Sequence, residues 1–179
     1  MSTEANLGLK HGVNRLVDYD PQWPTAFAEE KLRLENALGP LAIAIEHYGS
    51  TSVPGLRAKP IIDILIGVPK LDDWAKCRPA LEALGYDYAE NAGVPGHFIF
   101  GRGRDRTERT HLVHVVEYDG SAWRRCLAFR DRLRQNPDLL RDYLQEKERA
   151  VATAPEIRSR YNEIKSGFIE RIVGAEGEA

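Results

Sequence analysis

No hydrophobic run in this sequence approaches the roughly 20 apolar residues that a membrane-crossing helix requires. The N-terminal stretch MSTEANLGLKHGV also lacks the apolar centre of a secretory signal. Together these absences predict a soluble, cytoplasmic protein. Cysteine is scarce: Cys77 and Cys126 stand far apart with no ligand-spaced neighbours, which predicts reduced thiols in the core or on helices rather than a disulfide framework. A dominant charge is lacking too. With a formal net charge of −2, the chain does not look like a general nucleic-acid binder. Internal repeats and low-complexity tracts are absent.

What is present suits one ordinary globular domain spanning residues 1–179, because 179 residues with 42% hydrophobic content can bury a substantial core. Charge is uneven along it. Residues 101–134 hold nine arginines against five acids, a locally basic stretch better suited to a small anion such as phosphate than to a polymer. Residues 13–18 read as a short edge strand. Pro24 starts a helix that Gly39-Pro40 stops near Leu38. LAIAIEHYG is rich in β-formers, and KPIIDILIGV is almost continuously apolar, which predicts a strand buried on both faces. DDWAKCRPALEALGY reads as a helix, and HFIFGRGRDRTERTHLVHVVEY as two strands joined by an arginine-rich hairpin. Beyond Gly120, helices are predicted over about 121–135, 137–151 and 156–173. The fold class is therefore α+β: a mixed sheet flanked by helices at about 13–119, then a helical half at about 120–173.

One carboxylate, Asp63, interrupts the most apolar strand. A buried, unpaired carboxylate is costly, so Asp63 must be paired, bound to a metal, or open to a cleft. It either holds a neighbouring loop or serves a site. Twelve residues separate Asp63 from Ser50 in the stretch GSTS, where Gly49 allows close approach of the backbone, and Ser50, Thr51 and Ser52 offer N–H and hydroxyl groups suited to phosphate oxygens. The interval allows the chain to turn at Pro54-Gly55 and return beside itself, so that loop and acid share a cleft.

The three C-terminal helices each place one cation inside an apolar arc when residues are set at 100° intervals: Arg130, Lys147 and Lys165. Snorkelling explains one such residue; three in succession point to an anion held between the helices and the sheet. Lys59, at the mouth of the apolar strand, joins them as a candidate. In RTHLVHVVE, His111 and Glu117 share one strand face and His114 the other, a spacing that does not suit a zinc pair. His114 or Glu117 could face Asp63 across neighbouring strands. The hairpin arginines Arg102, Arg104, Arg106 and Arg109 could steer a triphosphate or form a solvated tip. His11, His47 and His97 take no assignment, although His47 lies close to the Gly-Ser loop.

Across YDPQWP, HYGSTSVPGLRAKPIIDILIGV, RTHLVHVV, WRRCLAFRDRLRQNP and YNEIKSGFI, the chain resembles the GrpB-like family of the nucleotidyltransferase superfamily. The resemblance implies a small mixed sheet, a Gly49-Ser50 turn holding nucleotide phosphates, and a divalent metal, Mg²⁺ or Mn²⁺, on the strand acid. In that reading Asp63 and Glu117 are catalytic, and Asp63 and His114 hold the metal. Gly49, Ser50, Thr51, Ser52, Lys59, Arg130, Lys147 and Lys165 then bind the nucleotide. One departure matters: the superfamily's second acid, two residues after the first, is Leu65 here. The implied activity is transfer of a nucleotidyl group from a nucleoside triphosphate to a small acceptor. The alternative is a non-catalytic module that binds a nucleotide or another phosphorylated ligand. An RNA-directed role suits the superfamily's breadth but not the net charge.

Overall fold

The computed structural model describes residues 5–90 and 92–174. In chain order the elements are β1 (Leu9–Lys10), α1 (Trp23–Leu38), β2 (Ala44–Tyr48), β3 (Ile62–Val68), α2 (Trp74–Ala83), β4 (Asp87–Tyr88), β5 (Phe98–Arg102), β6 (Glu108–Arg109), β7 (His111–Glu117), α3 (Ser121–Gln135), α4 (Pro137–Thr153) and α5 (Arg158–Val173). Five strands form a mixed sheet in the order β2-β3-β7-β5-β4, in which β3 and β7 run parallel and the other neighbours antiparallel. Among the described residues no helix is long and apolar enough to cross a membrane.

The apolar run around Asp63 becomes the central strand β3 because both of its faces are covered. Ile62, Ile64, Ile66 and Val68 point to one face, where they pack with Val113, Val115 and Phe100 against Trp23, Leu34 and Leu38 of α1 and Cys77 and Leu81 of α2. On the other face, Leu65 and Val116 pack under Trp123 of α3, beside Tyr48 and Cys126. A third cluster joins the helices to the turn after β2: Val53 and Leu56 pack with Phe129, Leu133, Tyr143 and Phe168. Period-2 alternation thus sends Asp63 to the α3–α5 side of the sheet.

The α+β expectation and the helices match this architecture. The edge strand expected over residues 13–18 does not form. That segment crosses the surface as a strap, with one isolated bridge between Val17 and Ala58. Asn14, 3% exposed, is spent on α4–α5 instead: its backbone N–H donates to Pro155 O and its Nδ2 to Ala154 O, at 2.9 and 2.7 Å. The strap's strand pairing occurs earlier, where β1 meets β6. Both thiols are free, Cys77 buried and Cys126 half-buried, and burial pushes each up to about 11.

Leu65 is fully buried, so restoring an acid there would desolvate a carboxylate among Val116 and Trp123. Leu65→Asp is expected to destabilise the protein by about 3 kcal/mol or more, read as a lowered midpoint in urea denaturation.

Candidate functional site

The segment after β2 cannot continue as a strand, because Gly49 takes a positive φ of 71° and the chain closes into a single 3-10 turn over Ser50–Ser52. Gly49 is required on steric grounds as well. A Cβ at this position would stand 2.5 Å from Asp63 Oδ2, well inside contact distance, so the turn lies directly on the carboxylate. Tyr48, preceding the turn, is the cross-strand partner of Asp63.

Four elements hold this turn. Ser52 Oγ donates to Gly49 O at 2.6 Å. Arg134 of α3 donates twice to Ser52 O, at 3.0 and 2.7 Å. Tyr143 of α4 is hydrogen-bonded to Ser50. His47 Nε2 meets Thr51 Oγ1 at 3.0 Å while its ring stacks on Phe27. Burial, with Arg134 and Arg130 nearby, depresses His47 to about 3, so it serves the turn as a neutral ring. The hydroxyls of Thr51 and Ser52 are therefore engaged inside the turn.

Against the turn and the start of β3 opens a narrow cleft of ≈ 70 Å³, lined by Ser50, Thr51, Lys59, Ile61, Asp63, Leu112, Lys147, Tyr161, Asn162 and Lys165. Sheet and loop supply one wall, α4 and α5 the other. Lys59 Nζ donates to Asn14 Oδ1 at 2.6 Å and sits 3.7 Å from the centre of the Tyr161 ring. Lys147 is 1% exposed, and its Nζ donates to Arg57 O at 2.6 Å. Burial lowers Lys147 well below the ordinary lysine range, Lys165, Lys59 and Arg57 push it the same way, and Asp63 opposes them. Desolvation raises Tyr161, and the Asp63 charge adds to it. The cleft is thus an amine-rich chamber around one carboxylate.

The expected site residues divide accordingly. Gly49, Ser50, Thr51, Asp63, Lys59, Lys147 and Lys165 come together, with Ser52 behind the turn. Arg130 stands apart: it donates to Glu46 and to His47 O at 2.8 and 3.0 Å and to Asp131, tying α3 to β2. Glu117 is at the wrong end of the sheet. Leu112 is the residue registered against Asp63, and Glu117 lies five positions further along β7, about 16 Å at roughly 3.3 Å per residue. There it accepts a hydrogen bond from Leu71 N. His114 is registered against Leu65; its Nδ1 meets His97 Nδ1 at 3.2 Å and its ring abuts Tyr48.

The residues expected to share a metal are therefore not gathered. Among the described residues, no group of three or more His, Cys, Asp or Glu side chains is placed to hold one, and Leu65 and Leu112 flank Asp63 where further carboxylates would have to stand. This donor set does not fit a two-metal centre, which needs several hard oxygen ligands.

The hairpin arginines serve the opposite face. Arg102 bonds Glu30, a 3%-exposed acid that also accepts from Arg33 and Tyr86, and Arg109 bonds Asp87. A larger groove of ≈ 790 Å³ beside the hairpin is lined by Arg78, Arg104 and Arg106 but also by Glu82, Asp87, Glu90 and Asp105; this mixture does not concentrate charge on an anion. Sequence reasoning missed Tyr161, Asn14, Arg134 and Tyr143 as site residues, because each acts through tertiary contacts.

Comparison with known proteins places this geometry in a family. Residues 14–174 match the model of the GrpB protein family. The chain belongs to the GrpB family. It is 34% identical to the glutamate-rich protein GrpB of Alkalihalophilus pseudofirmus over 93% of this chain and 98% of that protein. It is 40% identical to the UPF0157 protein PA4798 of Pseudomonas aeruginosa over 87% of this chain and 64% of that one. Among solved structures, the conserved protein GrpB from Enterococcus faecalis superposes with a TM-score of 0.73 at 32% identity, over 88% of this chain and 99% of that one. The Cid1 poly(U) polymerase, solved with Mg 3'-dATP, superposes with a TM-score of 0.53 at 13% identity, over 83% of this chain and 49% of that chain. That likeness shows the nucleotidyltransferase fold. In this GrpB-family chain, the cleft beside the Gly49-Ser50 turn is lined by one carboxylate, Asp63, together with Lys59, Lys147 and Lys165.

Two outcomes follow from the turn. Gly49→Ala must leave the left-handed conformation or displace Asp63, and is expected to cost about 1–3 kcal/mol, measured by thermal denaturation. His47 is depressed to about 3 and His111, buried beside Arg102, to about 4. The unfolded chain, with histidines near 6.5, binds more protons in this range, so stability is full above pH 6.5 and falls on acidification towards these values. Roughly 2 kcal/mol per histidine should be lost between pH 6.5 and 5, and His47→Gln should flatten that slope in denaturant titrations across pH.

Proposed function

We propose that this protein binds a phosphorylated small molecule, nucleotides included, with a terminal phosphoryl group seated in the Asp63 cleft and without a divalent metal. The observation that carries this reading is the convergence of Lys59, Lys147 and Lys165 with Ser50 around a single carboxylate. Charge-assisted N–H donors are the usual partners of phosphate oxygens, and here they stand where a metal-dependent enzyme needs acids. At ≈ 70 Å³ the cleft is far below the roughly 300–1,000 Å³ that enclose whole ligands. It suits one phosphoryl group, the remainder of the ligand lying outside. Lys147, buried and held towards its neutral form, gains a reason to take up a proton when an anion enters.

A second reading keeps one observation in its favour: Asp63 lies directly against the Gly49-Ser50 turn. In it, a nucleoside triphosphate with Mg²⁺ or Mn²⁺ would pass its nucleotidyl group to a small hydroxyl, amine or phosphate acceptor. No nucleic-acid partner belongs to either reading.

Calorimetric titration of inorganic phosphate, AMP and ATP separates the two. Binding in EDTA, weakened at least about tenfold by Lys165→Ala and by Lys59→Ala, is the expected result. Binding that requires Mg²⁺ or Mn²⁺ and disappears in Asp63→Ala would overturn it in favour of the enzyme, as would metal-dependent turnover of any triphosphate.

A further inference from the structure

If the cleft is an anion site, Asp63 poses a chemical problem, because a carboxylate beside a bound oxyanion repels it. The reading above supplies the anion; the carboxylate specifies which anion. Asp63 lines the same ≈ 70 Å³ chamber as Lys59, Lys147 and Lys165. It is half-buried at the start of β3, with the Gly49 turn packed against one side of its carboxylate. Its charge is felt on every side: by Tyr48 on β2, Cys126 on α3, Tyr143 and Lys147 on α4, and Tyr161 on α5. An ionised carboxylate only accepts hydrogen bonds, and it does so through two oxygens with about four lone-pair directions.

An anion can lie beside such a group only by donating to it. A phosphate monoester, with a second pKa near about 6, is mostly dianionic above that pH but needs only one proton to present a P–O–H, and a site that accepts from that group selects the monoanion. Sulfate has no proton to offer, and neither does a phosphodiester. We propose that Asp63 is a specificity residue that accepts a hydrogen bond from the protonated oxygen of a phosphate monoester, so that the cleft takes terminal phosphates and refuses sulfate and phosphodiesters. The lysines and Ser50 would hold the remaining oxygens. This assigns the lone acid a role that needs neither metal nor partner carboxylates.

Competition calorimetry in EDTA tests it, with inorganic phosphate, methyl phosphate, dimethyl phosphate and sulfate as probes. Wild type should bind phosphate and methyl phosphate at least about tenfold more tightly than sulfate or dimethyl phosphate. Asp63→Asn, which replaces an acceptor-only group with one that can donate, should bring sulfate to within a few fold of phosphate. Sulfate binding to wild type as tightly as phosphate would overturn the proposal while leaving the anion site standing; so would an Asp63→Asn protein that still refuses sulfate. Should that variant not fold, the wild-type contrast between methyl and dimethyl phosphate decides the question alone. If wild type binds none of the four probes, the anion-site reading falls and this inference with it.

Discussion

A buried amine organises the contact between the two halves of this protein. Lys147 projects from α4 with 1% of its surface exposed and ends on the carbonyl of Arg57, in the segment that links the Gly-Ser turn to β3. Burying an ammonium among helices is strongly unfavourable, and the structure meets that cost by holding the amine towards its neutral form and giving it a short hydrogen bond. Arg57 reinforces the tie from outside by bonding Asp18 of the strap and Glu148 of α4. Because α4 is anchored there, α5 is carried over the cleft, and Tyr161, Asn162 and Lys165 become its outer wall.

From that anchoring follows the electrostatic character of the site. The fold is that of nucleotidyltransferases, whose chemistry calls for carboxylates gathered around metal. This chain retains one acid and surrounds it with amines, tyrosines and two leucines. Leu65 is a core residue under Trp123, and it packs the sheet against α3. In the proposed reading, positive charge at the cleft comes from lysine side chains rather than from a metal. Lysines do this at lower charge density but without a coordination geometry to satisfy, which favours holding an anion over activating one.

The sequence showed the strands and helices clearly wherever periodicity was strong. The apolar run through Asp63, the helices after Gly120 and the Gly49-to-Asp63 spacing all led to real features. The helical-wheel placement of Lys147 and Lys165 inside apolar arcs also identified groups that line the cleft. It failed for Arg130 because a wheel shows which face a residue occupies, not which acid waits there; Glu46 on β2 is distant in sequence. Glu117 was misplaced for a related reason. Its face can be read from alternation, but its position along the sheet depends on the parallel register of β7 against β3, which no local pattern encodes. The strap over residues 13–18 has strand-like composition, yet tertiary hydrogen bonds from Asn14 to the α4–α5 turn override it. The hairpin arginines looked like a phosphate trap until Glu30, far earlier in the chain, proved to be the partner of Arg102.

The central claim is that lysine side chains, not a divalent metal, provide the positive charge at Asp63. Anomalous diffraction from crystals soaked in Mn²⁺ together with phosphate tests it directly. The account predicts tetrahedral density within hydrogen-bonding distance of Lys59, Lys165 and Ser50, and no manganese peak at the carboxylate. A manganese peak coordinated by Asp63 would contradict it.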